Sequence, residues 1–281
     1  HLDGQWSPGG RMDTRGALMI SRGALNWRMN EGVITAGLQK ADIAWVWKDE
    51  SLRGDLSFSL REYGHIDGSF QLPLNAQLPV VVRPDGPIRI SLQGQVQEKG
   101  LLSAFLPGAV QESHGQIDLN MNIHGTWQNP SFEGNLQLSK SGAYLPGLGI
   151  HVKDLAAQAR FAENRLEVTS FHARSGAGHV EGKASVWREG WRVSRFQGKL
   201  RGERFQTIYL PELQVLSSPR LDFTGTTEKL TVRGEIGLPE VLISGPQTED
   251  VVRPSADVVI VDPGETPTEG FPLTLDLNVR L

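Results

Sequence analysis

The chain has 281 residues and no cysteine. That excludes a disulfide scaffold, a thiolate zinc site and a thiol nucleophile. It also lacks any apolar run near the ~20 residues that a membrane-crossing helix needs. The longest, Pro79-Val80-Val81-Val82 and Val258-Val259-Ile260-Val261, are strand-sized. His1-Leu2-Asp3 does not begin as a signal peptide does. Neither sign of charge dominates: the net charge is −4 and the signs are interspersed. No basic run or basic helix face is present to attract nucleic acid.

Catalytic and metal motifs are missing as well. The seven histidines contain no His-Glu-x-x-His and no i, i+2 pair on one strand face, and His124, His151 and His179 fall among polar positions. There is no Gly-x-Ser-x-Gly elbow and no P-loop. Gly176-Ala177-Gly178 with Gly182 imitates a nucleotide loop, but a strand pattern follows it, so no helix N-terminus is available to hold phosphate. It reads as a hairpin turn. Asp55, Asp67, Glu133 and Glu181 all follow strand alternation outward, away from any paired acid–base geometry. The expectation is a protein that is not an enzyme and uses no metal or cofactor.

What the chain has is period two. From Gly115 to Gly125, Ile117, Leu119, Met121 and Ile123 alternate with Gln116, Asp118, Asn120, Asn122 and His124. Strand geometry sends the two sets to opposite faces of a sheet. Leu56 and Phe58 belong to a second such run, Leu52–Leu60; Phe70 and Leu72 to Ile66–Leu74; Ile90 and Leu92 to Ile88–Val96. The pattern recurs at Leu148–Val152, Leu155–Phe161, Val180–Val186 and Leu230–Leu238, and Phe132, Leu136 and Leu138 form one more apolar set. One dry face and one wet face argue for antiparallel strands. Trp45 and Trp47, in phase with Ile43, read as core aromatics in preference to a ligand platform.

Turn formers (Gly64, Pro84-Asp85-Gly86-Pro87, Asn129-Pro130, Lys140-Ser141-Gly142, Glu189-Gly190) punctuate the chain at all-β spacing. Two short stretches stopped by proline, Leu101–Leu106 and Glu203–Leu210, are expected to be helices. Ser244–Gly270 reads as loops around one strand, Asp257–Val261. Leu273–Leu281 alternates to the last residue, which reads as an excised piece of a longer protein.

Gly125–Leu138 aligns without gaps on Gly225–Leu238, one hundred residues later, and shorter echoes occur at 52–58, 66–72 and 180–186. A recurring supersecondary unit marks a stacked, quasi-one-dimensional body. The expectation is therefore one continuous repetitive unit over residues 1–281, with repeats around 52–74, 115–138 and 219–238. Its fold class is all-β: an elongated, curled antiparallel sheet of about 20 strands, on the order of 90 Å long at ~4.8 Å per strand. Gly54, Gly68, Gly134, Gly182 and Gly234 lie in phase with the apolar residues. There they permit either curvature or the close approach of a ligand. Periodicity alone leaves a closed sandwich and an open groove both standing.

The run Ile117–Gly125, Thr126-Trp127-Gln128-Asn129-Pro130 and Phe132-Glu133-Gly134-Asn135-Leu136 resembles the TamB family. So do Ala143–Ile150, Ser175–Gly178 and Pro219–Ile243. The likeness covers most of the chain, best from about Leu101 to Val261, and its motif is strand-like. It implies an AsmA-like β-groove protein of the Gram-negative envelope, anchored in the inner membrane by an N-terminal helix and crossing the periplasm as a trough. It further implies movement of phospholipids toward the outer membrane, and work with the barrel protein TamA. This chain would be a C-terminal part lacking both the anchor and the end that meets TamA.

On that basis phospholipid acyl chains would lie along Leu56, Phe58, Phe70, Leu72, Ile90 and Leu92. The path would continue over Ile117, Leu119, Met121, Ile123, Phe132, Leu136 and Leu138, then Val180, Val186, Leu221 and Phe223, and finally Val232, Ile236, Leu238, Leu275 and Leu277. The alternative is a scaffold on which an incoming outer-membrane strand pairs with a sheet edge. A closed solenoid that binds glycans is a third reading.

Overall fold

The computed structural model describes residues 2–6, 12–29, 32–76, 79–100, 103, 108–244 and 273–280. It is all-β. The first strands are β1 (Leu2–Trp6), β2 (Met12–Ile20), β3 (Gly23–Met29), β4 (Gly32–Lys48), β5 (Ser51–Leu60), β6 (Gly64–Leu72) and β7 (Pro87–Lys99). The middle of the chain forms β8 (Gln111–Thr126), β9 (Pro130–Leu145), β10 (Ile150–Glu163), β11 (Arg165–Ser175), β12 (Gly178–Glu189) and β13 (Arg192–Glu203). The last strands are β14 (Phe205–Tyr209), β15 (Leu213–Gly225), β16 (Leu230–Ile243) and β17 (Leu273–Arg280).

All belong to one sheet. Each strand pairs with the next through a hairpin, except in three places. The long β4 takes β2 on one stretch and β3 on another. β15 pairs with β13 along one part and with β14 along the other. β17 lies parallel to β16, so the sheet is mixed and not wholly antiparallel. The pairing order gives fourteen steps from β1 to β17, about 67 Å at ~4.8 Å each. That is shorter than the 20-strand expectation because β3 and β14 share a place with a neighbour.

The hundred-residue repeat is a repeat of register. Met121 opposes Gly134 as Leu221 opposes Gly234, and Ile123 opposes Phe132 as Phe223 opposes Val232. The turns match too: the Thr126 amide donates to the Asn129 carbonyl (3.3 Å) and the Thr226 amide to that of Lys229 (2.9 Å).

The expected helix at Glu203–Leu210 is not one. Its residues end β13 and form β14. Phe205, Gln206, Ile208 and Tyr209 all find strand partners on β15, so pairing with a neighbouring strand overrides a weak local helical pattern. The other expected helix, at 101–106, and the loop-rich stretch 245–270 with its strand fall outside the described residues, apart from Ser103.

The sheet is curled. Glu112, Lys140 and Asp154 take positive φ (52°, 51° and 51°) on three consecutive strands, beside register shifts. These are bulges that kink the strands along one line. Each bulge also shifts the alternation by one residue. On β9 the inward set passes from Leu136 and Leu138 to Ala143 and Leu145, which pair with Val152 and Ile150. Tyr144 and His151 are left outside, ring on ring with centroids 4.6 Å apart. All five buried polar side chains among the described residues (Glu98, Ser113, Ser141, Ser175 and Ser217) lie near this line or near the strand ends beyond it. Small hydroxyls fit a cramped fold, and two of them bond across it: the Ser113 hydroxyl donates to Glu98 Oε1 at 2.7 Å, and Ser217 bonds Thr207 at 2.6 Å.

Curling has not produced a closed core. The accessible surface is 19,082 Å², against about 12,000 Å² for a compact protein of this mass. Among the described residues nine apolar side chains are buried, and Ile88 and Ile150 are the only large ones nearly inaccessible. An open trough, not a sandwich, is what these residues build.

Candidate functional site: an apolar trough

The cross-strand register joins the apolar residues into continuous rows. One begins at Leu18 and passes through Ile43, Leu56, Gly68, Leu92, Met121 and Gly134. It goes on through Phe161, Leu166, Val186, Phe196, Gly225 and Leu230 to Leu273. The row beside it contains Phe58, Ile66, Leu119, Leu136, Ala159, Val168, Phe223, Val232 and Leu275. A third holds Ile117, Leu138, Phe171, Leu200, Leu221 and Leu277. Phe70, Ile90, Ile123 and Phe132 form a fourth. Leu72 opposes Leu52, Val180 opposes Ala173, and Ile236 opposes Pro219 and Val279; Leu238 follows Ile236 on the same alternation. All the expected lining residues thus share one face. Ile123 (6%) and Val180 (7%) are buried; the others stay at least partly accessible.

The register also explains glycines that alternation could not. Gly54 stands directly opposite Phe70, and Gly198 opposite Phe223. A Cβ built on Gly54 would come within 2.6 Å of the Phe70 ring, and one on Gly198 within 2.2 Å of Phe223. An aromatic on one strand lies over the glycine of the next, as Trp45 does over Gly16. Trp45 and Trp47 are therefore wall residues of the trough; the Trp47 indole N–H donates to the Leu74 carbonyl (3.2 Å).

One rim is tied across. Arg188, near the end of β12, reaches over the apolar face and stacks on Phe132 (3.9 Å to the ring centre). Its Nη2 donates to the Pro130 carbonyl (2.8 Å) and the Glu163 carbonyl (2.5 Å), and its Nη1 to the Gly190 carbonyl (2.5 Å). β12 and β9 are three steps apart, about 14 Å on a flat sheet. A 2.8 Å bond between them means that the sheet bends toward its apolar face. Trp191 completes the tie: it lies 5.5 Å from Trp127 and edge-on to Phe132 at 5.6 Å, and its indole N–H donates to the Trp127 carbonyl (2.7 Å). Burial pushes the Arg188 pKa down from its ordinary value, and an arginine remains charged nonetheless. Nothing in the sequence marked Arg188, because its partners lie 25 and 58 residues away.

On the outer face, polar groups bond one another in the middle of the sheet. Asp118 accepts from Gln95 (2.7 Å) and Gln116 (3.0 Å), and these bonds hold its carboxyl below the ordinary value. Among the described residues no His/Cys/Asp/Glu group could hold a metal ion, and no helix is long and apolar enough to cross a membrane.

Fold and face together define a curled β-sheet protein with an open apolar trough. Residues 169–281 match the family model described as TamB C-terminal domain. That segment, the C-terminal part of the chain, is similar to the TamB family. The match begins in β11 and runs to the last residue; the region from Leu101 to residue 168, where the sequence likeness was also noted, lies outside it. No curated protein and no solved structure matches the chain.

Proposed function

We propose that the trough holds the acyl chains of phospholipids and conducts them through the periplasm between the two membranes. The observation that carries this reading is the unbroken row from Leu18 to Leu273, left partly uncovered along the sheet. An apolar surface of this extent calls for an apolar occupant, and each CH₂ laid against it gains roughly 0.8 kcal/mol. Head groups remain in water along the open side, which permits sliding without a deep well. In this reading the chain is not an enzyme, needs no cofactor, and belongs to a longer protein anchored in the inner membrane that cooperates with a TamA-like barrel.

A second reading, a scaffold for outer-membrane proteins, is favoured by one feature. β17 pairs with β16 on one side, and no described strand pairs with its other side. An incoming strand has backbone groups to bond there. Leu119→Arg separates the two. A charge in the middle of the apolar rows costs several kcal/mol when unpaired, so lipid co-purifying with the protein falls at least tenfold under conduction. Under the scaffold reading lipid content is irrelevant, and assembly of outer-membrane barrels proceeds at the wild-type rate.

A further inference from the structure

The face turned away from the trough carries a row that neither lipid conduction nor strand pairing uses. Arg15 on β2 opposes Val46 on β4, Val46 opposes Arg53 on β5, Arg53 opposes Gln71 on β6, and Gln71 opposes Arg89 on β7. The three arginines therefore stand on one face at alternate positions. Neighbouring members are two sheet steps apart, about 10 Å. They line a cleft of about 620 Å³ whose floor includes Ala17, Ala44 and Val46. Val46 is 38% exposed between two guanidinium groups.

None of the three takes part in an ion pair among the described residues, whereas Arg165, Arg174, Arg204, Arg233 and Arg280 each have a carboxylate partner. Arg53 Nε donates to the Ser51 hydroxyl over a long 3.3 Å. Asp3 and Asp55 also line the cleft, so three guanidinium groups face two carboxylates and the net charge is positive. A row of planar cations with no carboxylate partner among the described residues, over a recessed floor, matches the needs of phosphate oxygens. Guanidinium groups bind these in a bidentate fork and desolvate readily.

We propose that this cleft binds a ligand carrying phosphate groups about 10 Å apart, one held between Arg15 and Arg53 above Val46, the next between Arg53 and Arg89 above Gln71. Either phosphorylated lipid head groups on a membrane surface or a soluble bisphosphate supplies that chemistry. Arg53 serves both positions, so it matters most.

The test measures binding of fructose 1,6-bisphosphate by calorimetry, and co-sedimentation with phosphatidylglycerol vesicles against phosphatidylcholine vesicles, both at low salt. Arg53→Gln should weaken binding at least tenfold. Arg15→Gln and Arg89→Gln combined in one chain should do the same, which keeps the test valid if either variant misfolds. Arg233→Gln, on the outer face but paired with Asp276, serves as the control and should bind as the wild type does. Binding of the bisphosphate identifies a soluble ligand; binding of phosphatidylglycerol vesicles alone identifies head groups. If wild-type protein binds neither probe, or if Arg53→Gln and Arg233→Gln weaken binding equally, the proposal is overturned.

Discussion

The same apolar rows run through the middle of the sheet and through its β16–β17 end, yet the two regions differ in cover. In the middle, Arg188, Trp127, Trp191 and Phe132 tie β9 to β12 across the trough, and Phe132 is only partly accessible. At the end, Leu273 (53%), Leu275 (57%) and Val279 (55%) continue the rows in the open. Alternation is equally clean in both. Enclosure therefore comes from contacts between strands three steps apart, which pattern does not encode.

Four tests sharpen the contrast. The largest effect is expected at Arg188→Ala, which leaves three carbonyls without their charged donor and Phe132 without its cation. A loss of about 2–4 kcal/mol follows, with a red shift of tryptophan fluorescence as Trp127 and Trp191 separate. Its counterpart at the open end, Arg280→Ala, removes only an exposed pair with Glu235, for which denaturant titration should show less than about 1 kcal/mol. Equal losses at the two sites would show that the rim tie stabilises nothing.

Next comes Gly198→Val against Gly237→Val. A Cβ at Gly198 meets the Phe223 ring at 2.2 Å and the Lys183 carbonyl at 2.7 Å, whereas at Gly237 nothing lies closer than 3.8 Å. The first should cost about 1–3 kcal/mol through overpacking. The second should change stability by less than about 0.5 kcal/mol, because the added carbons meet open space. Thermal unfolding of the pair checks this.

A smaller and symmetric effect is expected at the repeated turn. The Asn129 amide donates to Thr126 Oγ1 (3.1 Å) and the Glu228 amide to Thr226 Oγ1 (3.2 Å). Thr126→Ala and Thr226→Ala should each cost about 0.5–1 kcal/mol, and unequal costs would break the equivalence of the two copies. The smallest effect concerns Asp118. Because Gln95 and Gln116 lower its folded pKa, its stabilising contribution is present above the ordinary carboxylate pKa and is lost as pH falls through the lowered value. Gln95→Ala should move the Asp118 carboxyl upward, toward the ordinary value, in an NMR titration.

These expectations show how far the sequence could be read. Period two placed Leu119, Phe132, Val232 and their companions on one face, because side-chain direction along a strand is set by geometry alone. The match of 125–138 with 225–238 carried over into register, because a two-residue phase and a fixed turn leave no other pairing. The Glu203–Leu210 stretch misled, since its short apolar pattern fits a helix turn as well as a strand and only the β15 partner decides. The Gly54–Phe70 and Gly198–Phe223 pairs were invisible because they need the register between strands. The Arg188 tie was invisible because it needs the curl.

The central claim is that acyl chains occupy the inner face and not the outer one. A photo-activatable residue placed at Met121 or Ile236 on the inner rows, and at Asn120 or Glu235 on the outer face, tests it directly in cells. The account predicts phospholipid adducts at Met121 and Ile236 and none above background at Asn120 and Glu235. Adducts only at Asn120 and Glu235, or at no position, would contradict it.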